Sequence, residues 1–153
     1  MNRNAENLLF VYGTLRRGSP HPMRRALDEG AAFIGEGTVP GRLYEIDGYP
    51  GLLPPRTAEE RVRGDLFRIL DPSLLDRLDD YEECSPRFPP PHEYRRVRRI
   101  VRLDDGREYS AWVYEYLFPV REERFIPSGD YFARRRSAEG STSTEGRNRS
   151  DVM

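Results

Sequence analysis

The chain has 153 residues, of which 37% are hydrophobic and 33% charged, and its formal net charge at pH 7 is -1. These values fit one globular domain with its own core, and they give no reason to expect nucleic acid as a partner. No apolar run approaches the ~18 residues of a membrane helix, and the first residues lack a signal-peptide pattern. The single cysteine, Cys84, excludes an intrachain disulfide. We therefore expect a cytoplasmic protein with no membrane partner.

The first half of the chain predicts strands around a short helix. The apolar run LLFVY at 8–12 is typical of a buried strand. PHPMRRALDEG at 20–30 predicts a short helix that a glycine closes. The segments at 31–46 and 61–70 are rich in strand-forming residues, and the glycines and prolines of 47–55 predict a loop between them.

The second half begins with a helix and continues with a hairpin. Asp and Pro at 71–72 are a helix-start signal, and the predicted helix runs to Glu83. The segments YRRVRRIVRL at 94–103 and REYSAWVYEYL at 107–117 flank DDG at 104–106, which predicts a hairpin turn.

The strand at 94–103 is strongly basic. Alternation places Arg96 and Arg98 on one face and Arg95 and Arg99 on the other. Because arginine lies on both faces and acidic residues balance it, we interpret this segment as a salt-bridged edge strand and not as an RNA-binding surface.

Domain organisation is simple. The segment 119–132 predicts an irregular end, and the region from 134 to 153 has almost no apolar residues, which predicts a disordered tail after a domain at 1–133. Strands dominate, so the predicted fold class is α+β, a small domain that could close into a barrel.

One acidic stretch contains a residue unlike its neighbours. LLDRLDDYEEC at 74–84 holds these carboxylates: Asp76, Asp79, Asp80, Glu82 and Glu83. Counted from Leu74 at about 100° per residue, Glu82 falls at ~80°, between Leu78 and Leu75 of the apolar stripe, and the other acids fall at roughly 140–240°. Glu82 therefore points toward the core, and we expect the other four to be solvated. Such a carboxyl group could transfer protons in a reaction. It could instead have a purely structural position, paired with an arginine or turned outward at the helix end, and periodicity alone favours this structural interpretation.

The turn after the first strand could hold a ligand. Its residues are Tyr12, Gly13, Thr14 and Leu15, and glycine lets the backbone approach a ligand while successive N–H groups bind an anion. Many strands end at a glycine for steric reasons alone, so this signal is weak by itself. His21 and His92 form no cluster that predicts a metal site. Cys84 has no histidine partner in sequence and is expected to be an incidental thiol.

Short motifs follow one another over residues 8–132. They are FVYGTLRRG at 10–18, GRLYEIDGYPGL at 41–52, VRGDLFRI at 62–69, LDDYE at 78–82, YRRVRRIV at 94–101, AWVYEY at 111–116 and IPSGDY at 126–131. In order and spacing they resemble the gamma-glutamylcyclotransferase-like family, and in particular its gamma-glutamylamine cyclotransferase branch.

The resemblance implies a fold, a reaction and a site. The fold is a small closed barrel of parallel and antiparallel strands with helices outside. The substrate is a small gamma-glutamyl compound that cyclises to 5-oxoproline and releases an amine or amino acid, with neither metal nor cofactor. Glu82 is implied to be the catalytic acid/base, and the turn Tyr12, Gly13, Thr14 and Leu15 lines the substrate pocket. Independently of the resemblance, Trp112, Tyr114 and Tyr116 are expected mainly in the strand core, and Tyr114 is also a candidate for the pocket rim.

Two features depart from the family pattern. Glu83 stands where glycine is common, and the segment 84–93 is longer and richer in proline than expected. Both bear on the identity of the substrate. The alternatives are a non-catalytic binding module on the same scaffold and an enzyme that removes a gamma-glutamyl group within one pathway. The oligomeric state is left open.

Overall fold

The computed structural model describes residues 7–13, 15–16 and 23–133, and every structural statement below concerns these residues. The predicted tail at 134–153, His21 and Thr14 lie outside them. The helices and strands are β1 Leu8–Val11, α1 Met23–Gly30, β2 Ala31–Pro40, β3 Arg42–Glu45, β4 Pro50–Leu53, β5 Arg61–Ile69, α2 Ser73–Tyr81, β6 Tyr94–Leu103 and β7 Glu108–Tyr116, followed by a single-turn 3-10 helix at Glu122–Arg124.

The longer strands close into a barrel in the order β1-β5-β2-β6-β7. Neighbouring strands are antiparallel except β1 and β7, which pair in parallel through Leu9 and Trp112 and complete the circle. Strands β3 and β4 form a separate antiparallel pair. The predicted α+β class and the closed mixed barrel are confirmed. No described helix has the length and apolar content that crossing a membrane requires.

The loop predicted at 47–55 is wrong in part, because β4 runs through it. Gly48 adopts a φ of 85°, a left-handed conformation that glycine takes without strain. The Ile46 N–H donates to the Tyr49 carbonyl at 2.8 Å, which closes the turn between β3 and β4. Pro50 is the first residue of β4, where the absence of an N–H is tolerated. Glycine and proline therefore mark a turn and a strand start.

The prediction that residues 94–103 form an edge strand is also wrong. Strand β6 pairs with β7 along its length, and its last two residues, Arg102 and Leu103, pair with Thr38 and Gly37 of β2, so the strand lies between two others in the closed barrel. Its predicted salt bridges are present. Arg99, for example, lies 2.7 Å from the carboxylate of Glu115 on β7.

Helix α2 is shorter than predicted, since its bounds are Ser73–Tyr81 and not 72–83. The carboxylate of Asp71 accepts hydrogen bonds from the backbone N–H and the hydroxyl of Ser73, at 3.0 and 2.9 Å. These bonds lower the pKa of Asp71. Asp71 thus supplies the cap that the sequence predicts, at the end where a negative charge is favoured.

Strand β1 lies at the centre of the core and leads into the site. Its four residues are between 0 and 2% exposed, and it is hydrogen-bonded to β5 on one side and β7 on the other. Gly64 on β5 lies against its end, because a Cβ added at Gly64 would stand 2.2 Å from the carbonyl oxygen of Val11. Only a residue without a side chain fits there.

We expect Gly64→Ala to lower the free energy of unfolding by about 1–3 kcal/mol, because the added methyl group must displace the backbone of β1. Gly35→Ala is the matched control on β2, since a Cβ there would meet a side chain of Leu103 at an ordinary 3.5 Å. Urea unfolding of both variants measures the difference. Equal stabilities for the two variants would contradict the close approach at Gly64.

Candidate active site

Glu82 lies at the C-terminal end of α2 and is fully buried, with 0% exposure. It is the C-cap residue, with φ -82° and ψ -2°, and its N–H donates to the Leu78 carbonyl at 2.9 Å. Its backbone therefore continues the helical geometry for one residue beyond α2. The inward direction predicted from the helical count agrees with this burial.

The chain leaves the helix through a Schellman motif. Glu83 N–H donates to the Asp80 carbonyl and Cys84 N–H to the Asp79 carbonyl, both at 3.0 Å. Glu83 adopts a φ of 60°, the left-handed conformation in which a side chain is disfavoured. This geometry explains why glycine suits position 83. It also fixes the last turn of the helix, from which the Glu82 side chain projects.

The charge of Glu82 acts on three buried tyrosine phenols. Burial is the largest cause that raises the pKa of Tyr12, Tyr94 and Tyr114, and the charge of Glu82 contributes to the increase at each of them. The phenols therefore remain protonated at neutral pH. The carboxyl group of Glu82 is buried, and its charge acts on neutral hydroxyl groups.

Main-chain groups hold two of these phenols. The Tyr12 hydroxyl donates to the Tyr114 carbonyl at 2.7 Å and accepts from the Leu52 N–H at 3.1 Å. The Tyr94 hydroxyl donates to the Pro50 carbonyl at 2.6 Å. The β3–β4 hairpin is therefore fastened to the site through its second strand, which the sequence reasoning took for a loop.

Asp79 joins α2 to the barrel. Its carboxylate accepts two hydrogen bonds from Arg96, at 2.8 and 2.9 Å, and one from the Tyr114 hydroxyl at 2.6 Å. The expectation that Asp79 is solvated is wrong, since its side chain is only 15% exposed. Tyr114, expected at the pocket rim, is 3% exposed and its hydroxyl is directed at Asp79.

The turn after β1 is held at its far end. The Arg16 N–H donates to the Gly13 carbonyl at 3.1 Å, and Leu15 is buried. Arg16 is 6% exposed, and its guanidinium lies 3.0 Å from the carboxylate of Asp130 and 4.4 Å from the ring centre of Phe132. The IPSGDY motif thus supplies the acid that anchors this turn.

The surroundings of Cys84 disfavour the thiolate form that a nucleophile requires. Burial, followed by the charges of Asp79 and Glu82, raises the pKa of its thiol to about 12. Its Sγ lies 4.0 Å from an oxygen of Asp79. A thiol in this acidic, buried position stays protonated at neutral pH, and a protonated thiol is a poor nucleophile.

The structure shows no metal-binding cluster of three or more His, Cys, Asp or Glu side chains among the residues it describes. A ring nitrogen of His92, Nε2, lies 3.0 Å from the Phe88 carbonyl oxygen. His92 therefore makes a contact within its own loop.

Comparison with known proteins identifies the family. Residues 9–133 match the family model described as Gamma-glutamyl cyclotransferase, AIG2-like. The chain belongs to this family. The gamma-glutamylcyclotransferase family protein YtfP of Escherichia coli K12 is 30% identical over 129 residues, which are 82% of this chain and 96% of that protein. Family membership supports gamma-glutamyl cyclotransferase activity in general.

Solved structures show the same fold. An AIG2-like protein from Mus musculus matches with a TM-score of 0.66 and 28% identity, covering 92% of this chain and 98% of that one. An uncharacterised protein from Pyrococcus horikoshii matches with a TM-score of 0.63 and 24% identity, covering 89% and 98%. The second likeness shows the fold alone.

The sequence of this family member did not identify Tyr94, Asp79 and Arg96 as residues of the site. Asp79 fell at ~140° on the helical count, which is the position nearest the apolar stripe among the four acids expected to be solvated. That position was a signal of partial burial. Tyr94 and Arg96 lie in the predicted strand β6, but the sequence of one strand does not identify the helix that packs against it.

We expect Glu83→Gly to raise the free energy of unfolding by about 1 kcal/mol, because glycine adopts the left-handed conformation without strain. Asp76→Gly is the control, since Asp76 is exposed inside the same helix and glycine there costs about 1 kcal/mol. Urea unfolding should therefore move the two variants in opposite directions. A destabilised Glu83→Gly protein would refute the role assigned to this position.

Alkylation tests the state of Cys84. With a pKa near 12 instead of the ordinary 9.0, the thiol is protonated at pH 8, so iodoacetamide should label the folded chain at least ~100-fold more slowly than the chain in urea. Mass spectrometry of the labelled protein over time measures both rates. Similar rates in the two states would show that the thiol is exposed and reactive.

Proposed function

We propose that this protein converts a gamma-glutamyl compound into 5-oxoproline and releases the amine or amino acid to which the glutamyl group was joined. The observation that carries the proposal is the complete burial of Glu82 at the end of a helix whose last turn is fixed, where its charge also acts on the phenols of Tyr12, Tyr94 and Tyr114. The family match over residues 9–133 supports the same reaction class.

The reaction is an intramolecular acyl transfer. The α-amine of the substrate attacks its own γ-carbonyl carbon, a new C–N bond closes a five-membered lactam, and the original C–N bond breaks. The α-amine is an ammonium at neutral pH and loses two protons on becoming the lactam N–H, one before it attacks and one as the new bond forms. The leaving nitrogen gains one proton as its bond breaks and a second from water once the amine is free. The proton count balances if one group carries a proton from the attacking nitrogen to the leaving nitrogen and the other proton passes through water.

Glu82 would perform both proton transfers. Its carboxylate accepts a proton from the attacking amine and returns it to the leaving nitrogen, so the enzyme ends the cycle in its starting state. Burial disfavours the charged form of a carboxyl group, which makes a buried carboxylate a better proton acceptor for the substrate amine than an exposed one. The phenols of Tyr12, Tyr94 and Tyr114 stay protonated at neutral pH, so they do not compete with Glu82 as bases.

The turn formed by Tyr12, Gly13, Thr14 and Leu15 would bind the substrate. Backbone N–H groups in such a turn stabilise a carboxylate or a developing oxyanion. Two anchors support this role, because Arg16 fastens the end of the turn to Asp130 and the Tyr12 hydroxyl is held by main-chain groups. Holding the substrate folded supplies proximity, which in favourable cases lowers the barrier by ~7–11 kcal/mol.

Neighbouring glutamates give a matched test. We expect Glu82→Gln to reduce 5-oxoproline formation by ~10²–10⁴-fold, the usual effect of losing a general base, because glutamine keeps the shape but cannot carry the proton. Glu83→Gln removes the same charge one residue away and should retain most of the activity. Mass spectrometry with a panel of gamma-glutamyl amino acids and amines measures the product.

Stability separates a chemical loss from a structural one. Replacing the buried carboxyl group of Glu82 by a neutral amide relieves its desolvation, so the melting temperature of Glu82→Gln should stay equal or rise. Equal activity losses in the two variants, or an unfolded Glu82→Gln protein, would overturn the assignment of Glu82 as the proton carrier.

A further inference from the structure

Asp79 lies one helical turn before Glu82. The backbone of Glu82 keeps helical geometry, with φ -82° and ψ -2°, so the two residues are i, i+3 neighbours, whose Cβ atoms lie ~5–6 Å apart. Burial is the largest cause that raises the pKa of the Tyr114 phenol and of the Cys84 thiol, and the charges of both acids add to it. The proposed proton carrier therefore has a second carboxylate beside it.

Arg96 neutralises this second carboxylate. Its Nε and Nη2 atoms donate to the two oxygens of Asp79, at 2.8 and 2.9 Å, and its guanidinium carbon lies 4.3 Å from the ring centre of Trp112. Two parallel hydrogen bonds and an aromatic contact hold the planar guanidinium in one orientation. Burial and the two acids raise the pKa of the Cys84 thiol, and the charge of Arg96 lowers it. The ion pair of Asp79 and Arg96 thus places opposite charges near Glu82.

Four titratable groups whose pKa the charge of Glu82 affects carry no charge at neutral pH. They are the phenols of Tyr12, Tyr94 and Tyr114 and the thiol of Cys84, all protonated because burial raises their pKa. Glu83, the next residue along the chain, is a half-buried acid in the left-handed turn that leaves α2. These groups are identical in the wild type and in any variant of the ion pair.

Two further acids act on the same phenols, and each has a partner of its own. Glu115 on β7 contributes to the raised pKa of Tyr12, and its carboxylate lies 2.7 Å from Arg99. Glu93 contributes to the raised pKa of a second phenol and accepts a hydrogen bond from the Tyr49 hydroxyl. Both acids keep these partners when the ion pair is altered.

We propose that Asp79 and Arg96 are positioning residues for the cyclisation, and that their ion pair sets the pH range in which Glu82 accepts a proton. The inference rests on the proposed role of Glu82 as the proton carrier. A like charge beside a carboxylate favours its protonated form, whereas an opposite charge favours its ionised form. In the intact pair these two effects oppose each other, so the loss of either partner changes the balance.

Variants of the two partners should shift the pH profile in opposite directions. Arg96→Gln leaves the charge of Asp79 uncompensated, so Glu82 holds its proton more tightly and the acidic limb of kcat/KM should move up by about 1 pH unit. Asp79→Asn leaves the charge of Arg96, and the acidic limb should move down by about 1 pH unit. Mass spectrometry of 5-oxoproline formed over a series of pH values measures both limbs. The alkaline limb, which belongs to the substrate amine, should not move.

Arg95 supplies the matched control. It precedes Arg96 on β6, lines the same cavity of about 260 Å³ as Asp79 and Arg96, and is exposed. Among the described residues it forms no ion pair, and water screens its charge, so Arg95→Gln should leave the acidic limb in place. Arg96→Lys keeps the positive charge and should keep the limb close to its wild-type pH. The double variant of Asp79→Asn and Arg96→Gln removes both charges, so its limb should also return close to the wild-type pH.

The thiol of Cys84 reports the same charges without any catalysis. Beyond the effect of burial, Asp79 raises the pKa of this thiol and Arg96 lowers it. At pH 8, iodoacetamide should therefore label Asp79→Asn roughly 3–10-fold faster than the wild type and Arg96→Gln more slowly by a similar factor. A site that is merely loosened would be labelled faster in both variants, so changes in opposite directions identify the charge.

The outcomes separate this inference from the proposed function. Absence of 5-oxoproline from every gamma-glutamyl substrate with the wild type would overturn the proposed function, and this inference with it. Turnover with acidic limbs that stay in place, or that move in the same direction in Asp79→Asn and Arg96→Gln, would overturn the inference alone. If Arg96→Gln does not fold, Asp79→Asn decides the question, because the amide matches the carboxylate in shape and an unmoved limb would contradict the role of the ion pair.

Discussion

The position of the last turn of α2 depends on one carboxylate, that of Asp79. It accepts two bonds from Arg96 on β6 and one from Tyr114 on β7, while its own backbone carbonyl accepts the Cys84 N–H that ends the helix. Each of the three bonds to the carboxylate is charge-assisted, the strong kind of hydrogen bond in proteins. Because Glu82 follows three residues later, its location relative to the barrel is set by this contact.

The local sequence pattern was sufficient to predict the direction of Glu82 on the helix. The 3.6-residue period placed Glu82 on the core side of α2, since periodicity is a property of the helix itself. It could not identify the partners of Asp79, because Arg96 and Tyr114 are 17 and 35 residues away along the chain. The catalytic role of Glu82 came from family resemblance and stays a prediction that kinetics must test.

The two wrong predictions about the fold, for β6 and β4, also arise because contacts between distant segments cannot be read from local sequence. Strand β6 was taken for an edge because its sequence carries arginine on both faces, yet closure by the parallel pair of β1 and β7 gives every strand of the barrel two neighbours. Closure is a relation between distant segments and leaves no signature within one strand. Strand β4 was missed because Gly48 and Pro50, which mark its boundary, are also the usual signs of a loop.

The hydrogen bond from the Leu52 N–H to the Tyr12 hydroxyl has a consequence for dynamics. Most strand amides are protected from exchange with deuterated water by a neighbouring strand, so their exchange reports separation of the sheet. This amide is protected by a side chain of the proposed site. Its exchange rate therefore reports movement of the β3–β4 hairpin away from Tyr12, and it provides a backbone probe of how often the surroundings of Glu82 open while the barrel stays folded.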